Sequence, residues 1–276
     1  ETTMKLAYAL SPGGLLLPYH LGALASLEYH KRLDVANDQV AGSSAGAIAT
    51  MVHGCGVKKE KILEATIAVS DQCHELGGAR GRLLPLLEAQ METLVGPEEI
   101  LHLQEERSIG IAYTEIFPRR KSYLQTDFQD RDDLFRAVKF SCMFPFFSTN
   151  WPFILDTSSE GVLPRLMVDG FFSVPRDRFG CPVVEADRTV GVSVFPKDAI
   201  KMDAFTPEDC ISPSLDDISL EELFRIATQA SSREDLIKVY ELGFQNAEDW
   251  SYEESKREAA VEKNKLTVSQ SDVDSS

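Results

Sequence analysis

The amino-acid sequence predicts an α/β fold with a mainly parallel central sheet, and three observations lead there. A strand, a glycine turn and a helix occur twice in succession at the start of the chain. Short apolar runs bounded by turn residues recur further on. Helical patterns separate several of them, as right-handed crossovers between parallel strands require.

Taken in order, residues 5–10 form an apolar run, Ser11-Pro12-Gly13-Gly14 a turn, and residues 15–29 an apolar-rich helix. Residues 38–41 repeat the strand, Gly42-Ser43-Ser44-Ala45-Gly46 the turn, and residues 47–53 the helix, which Gly54 and Gly56 stop. Residues 58–103 read as a helical cover over one face, interrupted at Gly77-Gly78 and Gly96-Pro97. Residues 108–117 and 122–128 alternate apolar and polar positions around Pro118-Arg119-Arg120, which predicts two strands joined by a turn. Residues 132–140 read as a short helix, 165–168 and 189–195 as the remaining strands, and 220–243 as a helical region ending at Gly243. From about Tyr252 the chain is polar and charged, and such a stretch cannot bury enough apolar surface to order itself unaided. The expected division is one domain over residues 1–251 and a charged tail over 252–276, either a frayed helix or disordered.

The chain is 43% hydrophobic and 26% charged, the balance of an ordinary globular domain, and no apolar run approaches the ~20 residues of a membrane-spanning helix. A net charge of -16 argues against nucleic acid and against docking on anionic lipid through a basic patch. Contact with lipid is therefore expected to be apolar. The acidity is concentrated from Lys197 onward, with 19 acidic residues against 9 basic. Five widely spaced cysteines, Cys55, Cys73, Cys142, Cys181 and Cys210, contain no Cys-x-x-Cys pair, which disfavours a disulfide framework and a zinc site and fits a reducing compartment. The chain opens at Glu1 without a charged-then-apolar leader, which fits either a removed targeting peptide or a trimmed sequence.

The strongest chemical signal is Gly42-x-Ser44-x-Gly46, because it sits where a strand should end and a helix begin. A nucleophile elbow holds its serine in a strained turn and needs small neighbours so that strand and helix can approach. A plain small-residue turn is the alternative, and the strand-turn-helix context favours the nucleophile. A serine needs a base, yet the five histidines are His20, His30, His53, His74 and His102, so none follows the strand at 165–168 where a Ser, Asp, His order would put it. What remains is a carboxylate acting directly. Asp169-Gly170 follows the apolar Leu166-Met167-Val168, a strand-end position that could reach the elbow, although one Asp-Gly pair is also an ordinary turn. Gly13 and Gly14, in a loop before a helix, could offer backbone N–H groups to an oxyanion. A phosphate loop is disfavoured, since neither Lys-Ser/Thr nor Gly-x-Gly-x-x-Gly accompanies the glycines. No metal and no cofactor is expected. The aromatic stretch Phe144-Pro145-Phe146-Phe147 with Trp151-Pro152-Phe153 reads mostly as core, with a subset free to line an acyl pocket or touch a membrane.

From the glycine turn near residue 11, through Gly42-Ser43-Ser44-Ala45-Gly46 and Ser141-Cys142-Met143-Phe144-Pro145, to Asp169-Gly170, the chain resembles the patatin-like phospholipases. It is most similar to a plant and algal plastid branch, from Leu15-Leu16-Leu17-Pro18-Tyr19-His20-Leu21-Gly22, Glu241-Leu242-Gly243-Phe244 and Asp249-Trp250. The resemblance implies a three-layer α/β/α fold, a Ser-Asp dyad, and release of fatty acids from phospholipids, galactolipids or acylglycerols. Carried over, Ser44 is the nucleophile, Asp169 its base, Gly13 and Gly14 the oxyanion turn, and Gly42 and Gly46 the elbow glycines. It implies an intracellular protein, in plastids or otherwise cytoplasmic or peripheral to a membrane, with a lipid ester as substrate and contact with a membrane or lipid droplet. A transacylase, or a weakly active lipid-binding or scaffold protein, is the alternative on the same fold. The family loop commonly reads three glycines, any residue, a basic residue and a glycine; here it reads Pro12-Gly13-Gly14-Leu15-Leu16-Leu17. Pro12 has no N–H to give and Leu16 no charge, which predicts a weaker or differently shaped oxyanion hole.

Overall fold

Strands β1 (Leu6–Leu10) and β2 (Gln39–Gly42) carry large residues on one face and small ones on the other. Tyr8, Leu10 and Val40 join the main core, beneath helices α1 (Leu17–Tyr29), α2 (Ala45–Gly54) and α3 (Lys59–Glu75). Ala7, Ala9 and Ala41 face the other way, where Cys181, Val184, Met202 and Phe205 pack on them. The small side chains let irregular chain approach the sheet closely, so a thin layer suffices to cover that face. This is the arrangement in a computed structural model that describes residues 5–96, 98, 100, 103, 108–157 and 163–273, with side chains to 261 and at 263. Pro97 and His102 lie outside the described residues.

The sheet runs β5-β6-β3-β2-β1-β7-β8, with β4 also paired to β3. Its remaining strands are β3 (Ser108–Phe117), β4 (Lys121–Gln125), β5 (Ile154–Asp156), β6 (Arg165–Val168), β7 (Arg188–Val192) and β8 (Cys210–Ile211). The pairs β3-β2, β2-β1, β1-β7 and β7-β8 are parallel, and β4, β5 and β6 form an antiparallel wing around β3. The expected α/β class with a mainly parallel sheet is therefore observed. Strands β5 and β8 were not expected: at three and two residues they are too short to show alternation.

The other helices are α4 (Leu83–Leu94), α5 (Arg131–Ser141), α6 (Leu220–Thr228) and α7 (Arg233–Val273). Here the structure corrects the sequence reading. Residues 220–243 are not one helical region stopped by glycine; α6 ends at Thr228, and Gly243 lies inside α7. The glycine serves a close helix crossing. A Cβ on Gly243 would sit 2.0 Å from the Tyr19 carbonyl oxygen, and one on Gly22 of α1 would sit 2.0 Å from that of Tyr240. Helix α7 also continues past Tyr252 to Val273. Arg188 reaches Glu254 and Arg32 reaches Glu258, so arginines distant in sequence tie the first part of this charged stretch to the body. No described helix is long and apolar enough to cross a membrane.

Candidate active site

Strand β3 acts as the ruler that brings the site together. Its first half pairs with β2, placing Gly42 level with Ile111, and its second half pairs with β6, placing Val168 level with Thr114. Because β6 runs antiparallel to β3, it travels back toward the level at which β2 ends. Asp169 thus arrives beside the turn that follows β2. On the other side of β2, Leu10 pairs with Gly42, so the Ser11–Gly14 turn leaves β1 at the same edge.

Ser44 stands at the top of the β2–α2 turn with φ 54° and ψ -120°, a conformation costly for a residue with a Cβ. The turn permits it because its neighbours leave almost no space for anything larger. A Cβ on Gly46 would lie 2.6 Å from the Leu10 carbonyl oxygen, and one on Gly42 would lie 2.2 Å from that of Gly46. Ser43 is buried and donates to the Gly180 carbonyl at 2.6 Å, whereas Ser44 is partly accessible.

Asp169 is fully buried. Its Oδ1 accepts the Phe171 N–H at 2.8 Å, and Oδ2 has no hydrogen-bond partner of ordinary geometry among the described residues. Burial pushes its pKa up from 3.8 to about 7, against smaller downward pulls from the Phe171 N–H and the Ser44 hydroxyl. The hydroxyl therefore stands close enough to feel the carboxylate without a hydrogen bond of ordinary geometry, a looseness common before substrate binds.

One group was named in the sequence without being given a task. The segment Ser141-Cys142-Met143 holds both partners: Ser141 Oγ accepts the Ser44 N–H at 2.9 Å, Cys142 Sγ lies 3.5 Å from the Ser44 carbonyl oxygen, and the Met143 carbonyl accepts the Asp169 N–H at 2.9 Å. Its signal in the sequence was the Ser141-Cys142-Met143-Phe144-Pro145 motif of the family resemblance, which named the residues without their partners. Burial raises the Cys142 thiol well above its ordinary pKa, so it stays protonated.

Gly14 has φ +56°, and a Cβ there would lie 2.3 Å from the Ala227 carbonyl oxygen, so both conformation and space require glycine. It lines the cavity onto which Ser44 opens. His20, fully buried, holds the start of this turn: its Nε2 lies 2.7 Å from the Ser11 carbonyl oxygen and acts as donor. Its Nδ1 has no hydrogen-bond partner among the described residues, and burial lowers its pKa to about 4. Leu16, where the family loop carries a basic residue, is wholly buried in the main core, a place where an unpaired cation would be costly.

The cavity beside Ser44 has a volume of about 100 Å³ and runs between α2, α3 and α4, with Ile48, Ile62, Val69, Leu87 and Met91 among its walls. That apolar lining suits a hydrocarbon chain rather than a polar head. Of the aromatic stretch, Phe144 and Phe147 line this cavity. Phe144, Phe146 and Trp151 are 38%, 53% and 71% exposed, so core packing is not their role.

The sequence profile of the patatin-like phospholipase family matches residues 8–179, a span that contains the glycine turn, Ser44 and Asp169. The chain belongs to that family. No curated protein sequence matches it significantly. Among solved structures it is similar to VipD from Legionella pneumophila, at 12% identity and a TM-score of 0.48, covering 91% of this chain and 67% of that one. It is also similar to the ExoU–SpcU complex of the type III secretion system of Pseudomonas aeruginosa, at 15% identity, a TM-score of 0.42 and coverages of 90% and 52%. The type III effector ExoU alone gives 14% identity, 0.46, and coverages of 91% and 53%. The chain thus spans about half of ExoU and two-thirds of VipD.

Proposed function

We propose that this chain is a serine lipid acyl hydrolase that uses Ser44 and Asp169 as a two-residue catalytic set. The observation that carries the reading is the unpartnered, buried Oδ2 of Asp169 beside a strained Ser44 that opens onto an apolar cavity. Ser44 Oγ attacks the ester carbonyl and its proton passes to Asp169 Oδ2. The N–H groups of Gly13 and Gly14 hold the oxyanion, and the ester bond breaks as Asp169 returns the proton to the leaving alcohol. Water, with Asp169 again as base, then releases the fatty acid and restores Ser44. A base whose pKa lies near 7 suits both halves of this cycle at neutral pH.

The substrate class is a phospholipid, galactolipid or acylglycerol ester reached at a membrane or lipid-droplet surface. The narrower likeness to a plant and algal plastid branch rests on sequence alone, and a plastid location follows from it; imaging of a fluorescent fusion tests the location. Incubating the protein with a total lipid extract and identifying the species that lose acyl chains tests the activity. Ser44→Ala should abolish both that release and labelling by a fluorophosphonate probe, with unfolding unchanged. Full hydrolysis by the folded mutant would sink the assignment.

A further inference from the structure

Around the mouth of the Ser44 cavity, aromatic rings face solvent instead of packing inward. Phe144 stacks on Phe172 at 5.6 Å between ring centroids. Phe146 and Trp151 are joined by a backbone hydrogen bond of 3.2 Å between the Phe146 N–H and the Trp151 carbonyl. Phe146 is displayed at a conformational cost: its φ is +59°, rarely adopted by a bulky residue. The loop is held rigidly against the start of α4, through Gly81 N–H to Phe147 O at 2.6 Å and Leu84 N–H to Ser148 O at 3.0 Å. Strain and exposure combined in one fixed loop call for an occupant that repays both.

Cations collar these rings, although the chain as a whole carries -16. Arg80 Nε donates to the Phe146 carbonyl at 3.1 Å, and Arg120 Nη2 donates to the Phe172 carbonyl at 3.3 Å. Both arginines are exposed, and Arg119 and Lys121 flank Arg120 on the exposed β3–β4 turn. The loop 144–153 itself carries no charge. Aromatic side chains with an apolar body beside cations are the composition of a surface that sits at the headgroup level of an anionic bilayer.

We infer that the rim formed by Phe146, Trp151, Arg80 and Arg120 docks the protein on an anionic phospholipid bilayer, with the cavity mouth turned to the membrane. The inference rests on the lipid-hydrolase reading for its orientation. It revises the expectation of a purely apolar lipid contact, since the basic collar makes part of the binding salt-sensitive and the rings leave a part that salt does not remove.

The test is co-sedimentation with phosphatidylcholine vesicles, with and without phosphatidylserine, at low and high salt, alongside turnover of a short soluble ester. Trp151→Ser and Phe146→Gly should each weaken vesicle binding by roughly tenfold. Arg80→Gln and Arg120→Gln should each cost roughly fivefold, on the phosphatidylserine vesicles only. All four should turn over the soluble ester as the wild type does, and Phe146→Gly should be no less stable, because glycine suits its φ. A blue shift of tryptophan emission on vesicles should vanish in Trp151→Ser. Variants that bind like the wild type, or equal wild-type binding to neutral and anionic vesicles, would overturn the docking surface. A wild type that binds vesicles as described yet hydrolyses no ester would overturn the hydrolase reading and leave the surface standing.

Discussion

Asp169→Asn should inactivate the protein and, above neutral pH, stabilise it. The carboxyl titrates near 3.8 in an unfolded chain and near 7 in the folded one, because burial penalises its charge. Between those values the folded protein holds a proton that the unfolded chain has lost. Stability therefore falls as pH rises from about 4 to 7 and stays low above that window. At ~1.4 kcal/mol per unit the full cost is about 4 kcal/mol, and relaxation of the site reduces it, so about 2–4 kcal/mol is expected. Asparagine keeps an oxygen for the Phe171 N–H and carries no charge, so the variant escapes this cost. Urea unfolding of both proteins at pH 5 and pH 8.5 measures it: the advantage of the variant over the wild type should be larger at pH 8.5 by the share of that cost incurred above pH 5, about 1–3 kcal/mol, while ester turnover is lost. An advantage that is the same at both pH values would refute the claim that Asp169 is held near a pKa of 7.

Two further predictions concern the frame of the site. Gly46→Ala sets a methyl 2.6 Å from the Leu10 carbonyl oxygen, backbone that cannot swing aside, so urea unfolding should show a loss of about 1–3 kcal/mol or more, with turnover falling as the elbow shifts. His20 has a folded pKa of about 4 against 6.5 unfolded, so the unfolded chain takes up its proton first as pH falls; this group's own contribution is a loss of up to about 3 kcal/mol between pH 6.5 and 4, set against the opposite contribution of Asp169 over the same window. His20→Gln, which keeps a donor for the Ser11 carbonyl, should remove that loss, so that it gains on the wild type by up to about 3 kcal/mol as pH falls from 6.5 to 4, and should keep neutral-pH turnover within about tenfold; a much larger loss of turnover would give histidine a part in the chemistry.

Strands β1 and β2 were legible because each is followed by a glycine turn and a helix, signals confined to a few adjacent residues. Ser44 and Gly42–Gly46 were legible for the same reason. Asp169 was found by elimination of histidine plus its strand-end position, but nothing local revealed that β6 runs antiparallel and returns the carboxyl to the elbow. That depends on pairing with β3, some fifty residues earlier. Gly243 shows the same limit from the other side. As a local signal it reads as a helix stop, yet its reason is the Tyr19 carbonyl pressed against it from α1. The bracket Ser141-Cys142-Met143 was visible as a pattern, and only the spatial meeting of Ser44 and Asp169 gives it a purpose.

Ser44 links the raised pKa of Asp169 to the apolar cavity, since its hydroxyl acts on the carboxylate and the residue also lines the cavity. Burial is the largest cause of the shift, and Ser44, not Asp169, is the member of the pair that lines the cavity. An acyl chain in the cavity covers the partly accessible Ser44 beside the fully buried Asp169, so the surroundings on that side become less polar and the carboxyl pKa rises again. The acid limb of the free protein's profile, read from kcat/KM, should therefore have its midpoint near pH 7, with activity rising as pH rises because the deprotonated carboxylate is the base. The same limb in the substrate complex, read from kcat, should lie higher, and higher for a long acyl chain than for a short one. Coincident midpoints for kcat and kcat/KM across chain lengths would show that the cavity and the carboxylate are not coupled, and that the acyl chain lies elsewhere.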